Sequence, residues 1–218
     1  MSAVKTILAY GDSLTFGASP IEGGPRHAFE DRWPTVLEHG LGGVARVIAE
    51  GLGGRTTIYD DHGAPADRNG ARVLPTLLES HSPLDLVILM LGTNDLKPFL
   101  GQTAQQASNG MRRLVQIVHG HFVRPGDAVP KVILVAPPHL CDSNHPEMIP
   151  HFGGDAAIEQ SRLFAKWYKQ RADEYGCGFF DASVVAKADP ADGVHLDAAN
   201  TRAIGEALVP VVRRVLSL

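Results

Sequence analysis

Two short runs in this chain are apolar at every position: Leu86-Val87-Ile88-Leu89-Met90-Leu91 and Val132-Ile133-Leu134-Val135. A β-strand points successive side chains to opposite faces, so a run without alternation needs cover on both faces. Parallel sheets meet that need, because every crossover helix is laid on one face or the other. The spacing predicts strands at residues 4–10, 44–49, 85–91, 131–136 and 178–180. Helical periodicity is expected between them, at residues 33–39, 70–80, 103–119 and 155–175, and in the last 20 or so residues. Pro34 suits a first helical turn and Gly176 a helix C′ position, whereas Pro75 weakens the second of these helices. The expected fold is a three-layer α/β/α domain with a five-stranded parallel sheet of flavodoxin-like order 2-1-3-4-5.

A chain of 218 residues suits a single domain over residues 1–218, able to bury roughly 70% of its unfolded surface without disulfides or a structural metal. Twenty basic against 24 acidic residues leave a net charge of −4, which argues against a nucleic-acid partner held by a basic face. No apolar run approaches the roughly 20 residues that span a bilayer, so no membrane partner is expected. The apolar run at residues 6–10 is too short for a secretory leader. Cys141 and Cys177 stand far apart outside any CxxC pair and read as free thiols, the pattern of a cytoplasmic protein.

In an open α/β sheet, ligands gather beyond the carboxyl ends of the strands. There the sequence reads Gly11-Asp12-Ser13-Leu14-Thr15-Phe16-Gly17, then Glu50-Gly51-Leu52-Gly53-Gly54-Arg55-Thr56-Thr57, then Gly92-Thr93-Asn94-Asp95, and lastly Asp192-Gly193-Val194-His195. Singly, each has a structural explanation. Ser13 could cap a helix, the glycines could permit a turn, Asn94 and Asp95 could bond their own backbone, and the Asp–His pair could be a surface loop. Together they form a chemical set. A serine hydroxyl needs a base, a histidine base needs a carboxylate to fix its tautomer, and a tetrahedral intermediate needs donors for its oxyanion. Asp12 is expected to brace its turn by accepting backbone N–H groups. His119-Gly-His121 and His145-Pro-Glu147 lack further ligands at motif spacing, so no metal or other cofactor is expected.

These four blocks, in this order, resemble the SGNH (GDSL) hydrolases, and the likeness runs from Ile7 to the last helix. The chain is similar in particular to the bacterial arylesterase and acyltransferase branch, through Asp31-Arg32-Trp33, the Glu50–Thr57 block with Asp60-Asp61, and Leu84 to Asp95. The resemblance implies Ser13 as nucleophile, His195 as base and Asp192 as its orienting acid. It implies an oxyanion hole from Ser13, Gly54 and Asn94, with Gly53 the alternative to Gly54. It also implies hydrolysis of small carboxylic esters through an acyl-enzyme, in a homo-oligomer with a narrowed entrance. Acyl transfer to an alcohol or peroxide, thioester cleavage and carbohydrate deacetylation would use the same residues. A non-catalytic phosphate-binding module is the alternative of another class. It lacks both GxxxxGK[ST] and GxGxxG, and Asp12 and Glu50 would repel an anion. Phe16, Trp33 and Phe152 are expected to line the substrate pocket, and the two long stretches 18–32 and 137–154, read as irregular loops, to border it.

Overall fold

The computed structural model describes residues 4–218. Its sheet is built from β1 (Lys5–Gly11), β2 (Ala45–Gly51), β3 (Leu86–Met90), β4 (Lys131–Ala136) and β5 (Gly178–Asp181). All pairings are parallel, in the order β2-β1-β3-β4-β5. The helices are α1 (Ser13–Phe16), α2 (Trp33–Gly40), α3 (Gly70–His81), α4 (Ala104–His121), α5 (Met148–Phe152), α6 (Asp155–Ser161), α7 (Phe164–Tyr175) and α8 (Ala198–Leu216).

The doubly apolar strands have the two-sided cover they require. Leu8, Val87, Leu89, Val132 and Leu134 pack with α3, α4 and α7 on one face. Ile7, Ala9, Ile88, Ile133 and Val135 pack with α2 and α8 on the other. Each fully buried Val, Leu or Ile side chain of this kind contributes about 1.5–3 kcal/mol of transfer free energy. Gly176 ends α7 at φ 64°, its N–H reaching Ala172 and Asp173, and Pro34 lies in the first turn of α2. Cys141 and Cys177 are both free.

The structure departs from the sequence expectation in three places. Segment 155–175 is two helices rather than one. The Ser161 hydroxyl donates back to Ile158 O at 2.6 Å and accepts from Leu140 N at 3.0 Å, which bends the chain between α6 and α7. Segment 137–154 is not without structure, for it carries α5, closed by Gly153 at φ 105°. Segment 18–32 holds a short 3-10 turn, Phe29–Asp31. Among the described residues no helix is long and apolar enough to cross a membrane.

Candidate active site

Strand register brings the blocks together. Gly11 pairs with Gly51 and with Met90, so β1, β2 and β3 end side by side. The chain can turn this tightly after β1 because Gly51 carries no Cβ; one would lie 2.1 Å from Phe16 N. Arg55, 3% exposed, braces the same ends. Its guanidinium donates to Gly11 O at 2.8 Å and to Glu50 O, and lies over the Tyr10 ring.

Ser13 is the first residue of α1, yet it is not the cap. Asp12 is, its Oδ1 accepting from Leu14 N at 3.0 Å, as expected of a turn-bracing carboxylate. The capping explanation for Ser13 therefore falls away, and its side chain lines an open cleft. Burial pushes Asp12 up to about 6, against the pull of the Leu14 amide and nearby His195.

The loop after β2 turns at Leu52–Arg55, closed by Arg55 N to Leu52 O at 3.0 Å. Gly54 takes φ 80°, in the left-handed region that glycine occupies without strain. A side chain there would also strike Arg68. Gly53 has open space around it. Among the described residues, the amides of Ser13, Gly53 and Gly54 donate to no other group. Beside them, the Asn94 amide donates to Arg55 O at 3.1 Å and to Asp12 Oδ2 at 3.3 Å. Asp95, fully buried, accepts from Thr57 N at 2.8 Å and Thr57 Oγ1 at 2.5 Å. This latch holds the loop after β3 to the loop after β2. Burial pushes Asp95 up to about 7, although both Thr57 bonds pull the other way.

The fourth block lies in a loop pinned by Gly193 N to Asp189 O at 2.7 Å and Cys141 N to Gly193 O at 3.0 Å. Asp192 Oδ1 accepts from the amides of Val194 and His195, both at 2.8 Å. Its Oδ2 meets His195 Nδ1 at 2.5 Å. Burial pushes Asp192 up, but the bonds from the His195 ring and the two amides outweigh it and hold the carboxyl below the usual carboxylate range. The ring nitrogen bonded to this carboxylate is the one that carries a proton, which frees Nε2 to act as a base.

Ser13, Gly53, Gly54, Asn94, His195, Phe16 and Phe152 all line one cleft of about 430 Å³. A second cavity of about 510 Å³ adjoins it, sharing His195, Phe16 and Met148 and walled by residues 18–24 and His145. Both long segments thus border the site. Trp33 does not, which corrects the expectation for it. It is 0% exposed within the core shared by the sheet, α2 and α8, since the first turn of α2 is docked on α8, with Trp33 N donating to Thr201 Oγ1 at 3.3 Å. Four cleft residues were not singled out from the sequence, Arg68, Lys97, Met148 and His151, although the last two lie in segment 137–154, which was expected to border the pocket. Lys97 lies three residues past Asn94, and that proximity is the one clue the sequence offered for it.

Comparison with known proteins agrees with this geometry. Residues 9–203 match the family of GDSL-like lipases and acylhydrolases. A carbohydrate acetylesterase family member from Sinorhizobium meliloti is 53% identical, with 99% of this chain and 100% of that one covered at a TM-score of 0.94. The M. smegmatis aryl esterase is 40% identical over 97% of this chain and 100% of that one, TM-score 0.91. Est24, a carbohydrate acetylesterase from S. meliloti, is 38% identical over 96% and 99%, TM-score 0.89. No protein of curated function matched. By its match across most of its length and by these relatives, the chain belongs to the GDSL-like lipase/acylhydrolase family and is an ester hydrolase.

Proposed function

We propose that the protein is a serine esterase that cleaves small carboxylic esters through an acyl-enzyme on Ser13. The Ser13 hydroxyl attacks the ester carbonyl and passes its proton to His195 Nε2. His195 then gives that proton to the departing alcohol as the ester C–O bond breaks. Water enters by the same route in reverse and frees the acid and Ser13. Asp192 fixes the tautomer of His195 and stabilises the imidazolium that forms in each half. The amides of Ser13 and Gly54 and the side chain of Asn94 receive the oxyanion.

The observation that carries this reading is the Asp192–His195 pair at 2.5 Å opening on the cleft that Ser13 lines, with helix capping assigned to Asp12 instead. The relatives support short acyl groups on varied alcohols, two being described as carbohydrate acetylesterases and one as an aryl esterase. Aryl and sugar acetates are accordingly the proposed substrates.

The test is a p-nitrophenyl ester panel of rising chain length with the wild type and Ser13→Ala. Turnover should favour the acetate and vanish in the variant, and a serine-directed phosphonate should label Ser13 alone. A Ser13→Ala protein that retains more than a trace of the rate overturns the assignment.

A further inference from the structure

The Gly54 end of the cleft holds a cation that the protein itself does not neutralise. Lys97 follows Asn94 by one turn, its backbone N–H bonded to Asn94 O at 3.3 Å. Its side chain lines the cleft but is only 7% exposed. Among the described residues no carboxylate lies within ion-pair distance of its ammonium; its neighbour is the Phe152 ring, with Nζ 5.4 Å from the centroid. The two acids in electrostatic reach are already engaged. Asp61 holds Arg68 at 2.8 Å, and Asp12 accepts from Leu14 N and Asn94 Nδ2. Arg68, paired with Asp61, lines the same end, and so does His151, which burial and Lys97 hold below the usual histidine range. Burial, with Arg68 nearby, holds Lys97 below the usual lysine range. Lysine is rarely this buried without a partner, because a desolvated charge is unfavourable until an opposite charge meets it.

We propose that Lys97, backed by Arg68, forms an anion subsite inside the catalytic cleft, so that the preferred esters carry a carboxylate or similar anion close to the scissile bond. The inference rests on the esterase reading and narrows its substrate class. The anion can belong to either half of the ester, and both halves offer the same chemistry to the ammonium.

Two matched pairs separate those sources. Monoethyl succinate against ethyl 4-oxopentanoate places the charge on the acyl side. Against 4-acetoxyacetophenone, 4-acetoxybenzoate places it on the alcohol side. For each pair the ratio of kcat/KM, charged over neutral, is normalised to the hydroxide-catalysed rates and measured at low ionic strength. In one of the pairs the wild-type ratio should reach about 10, equivalent to about 1.4 kcal/mol. Lys97→Met should bring it to 1 or below, and Lys97→Arg should retain most of it. A wild-type ratio at or below 1 in both pairs overturns the subsite, whether or not Lys97→Met folds. So does a Lys97→Met protein whose ratio is unchanged. Calorimetric binding of monoethyl succinate and of 4-acetoxybenzoate to Ser13→Ala, compared with the Ser13→Ala/Lys97→Met double variant, reads the subsite without turnover. Loss of hydrolysis of every neutral ester would instead count against the esterase reading.

Discussion

Asn94→Ala separates a catalytic asparagine from one that merely holds its turn. In the structure the Asn94 amide spends one hydrogen on Arg55 O at 3.1 Å and directs the other along a longer bond to Asp12 Oδ2, at 3.3 Å. The longer bond is the one an arriving oxyanion can share. Because that oxygen gains charge as the tetrahedral intermediate forms, the donor helps the transition state more than the ground state. Removing one such donor typically costs about 10²–10³ in kcat, or roughly 2.7–4 kcal/mol.

The same substitution has a separate cost in stability. It leaves a buried backbone carbonyl and a buried carboxylate each short of one donor, at about 1–3 kcal/mol for such groups. For a protein of this size each kcal/mol lowers Tm by about 2–4 °C. Asn94→Ala should therefore show both a lower Tm and a kcat, per phosphonate-titrated site, reduced by about 10²–10³ with KM nearly unchanged. Asn94→Asp should be at least as damaging, since it sets a third carboxylate beside Asp12 and Asp95. An Asn94→Ala enzyme that melts early but keeps wild-type kcat per titrated site would refute the oxyanion role and leave only the structural one.

Three further outcomes are expected. Asp192→Asn keeps an acceptor for the Val194 and His195 amides but allows the wrong imidazole tautomer, so kcat should fall by about 10³–10⁴ with Tm little changed; a loss below tenfold in steady-state assays would contradict the role given to Asp192. Asp95 is held near 7 against about 3.9 when unfolded, so the folded state binds its proton more tightly and the associated stability is lost as pH rises between those values, by up to about 4 kcal/mol. Asp95→Asn should flatten the decline of Tm between about pH 4 and pH 7, and parallel profiles for the two proteins would refute this. Trp33→Ala should lower stability by about 3–5 kcal/mol in urea unfolding while leaving kcat per titrated site unchanged in the folded fraction, whereas a pocket role would raise KM.

The sheet was legible because its central strands cannot exist half exposed: Val87 and Ile88 turn to opposite cores, and only a covered parallel sheet offers both. The four blocks of the candidate site were legible for a related reason, since a parallel sheet delivers every strand end to one rim. Less was visible where one side chain decides the path. Nothing in the periodicity of residues 155–175 distinguishes Ser161 as the point where a hydroxyl shares a helical carbonyl with a backbone amide and the chain bends. Residues 146–154 contain Pro146, Pro150, Gly153 and Gly154, a composition that reads as loop, yet α5 forms between Pro146 and Gly153, with Pro150 tolerated in its first turn. It carries Met148, His151 and Phe152 to the cleft. Trp33 illustrates the reverse difficulty. An aromatic residue near a catalytic block suits a pocket wall and a core equally, and only the packing of α2 on α8 decides between them.

The buried acids around the site form a frame whose ionisation is unfavourable to stability. Asp12 and Asp95 are nearly inaccessible, and burial drives both upward, so at neutral pH their charged forms oppose folding. Each nonetheless connects two strand ends. Asp12 caps α1 and reaches Asn94, and Asp95 clasps Thr57 through two bonds. Asn94 in turn holds Arg55 O. Three loops that are remote in sequence are thereby stitched at their tips, which is what an oxyanion hole drawn from three loops requires. Fixed dipoles accelerate acyl transfer only when they are already aimed before charge develops. Apolar residues at positions 12 and 95 would bury more comfortably, but they could not bond a backbone amide, a hydroxyl and a carboxamide at once. The stability lost to these ionised carboxylates thus accompanies the rigidity that the proposed oxyanion hole of Ser13, Gly54 and Asn94 would need.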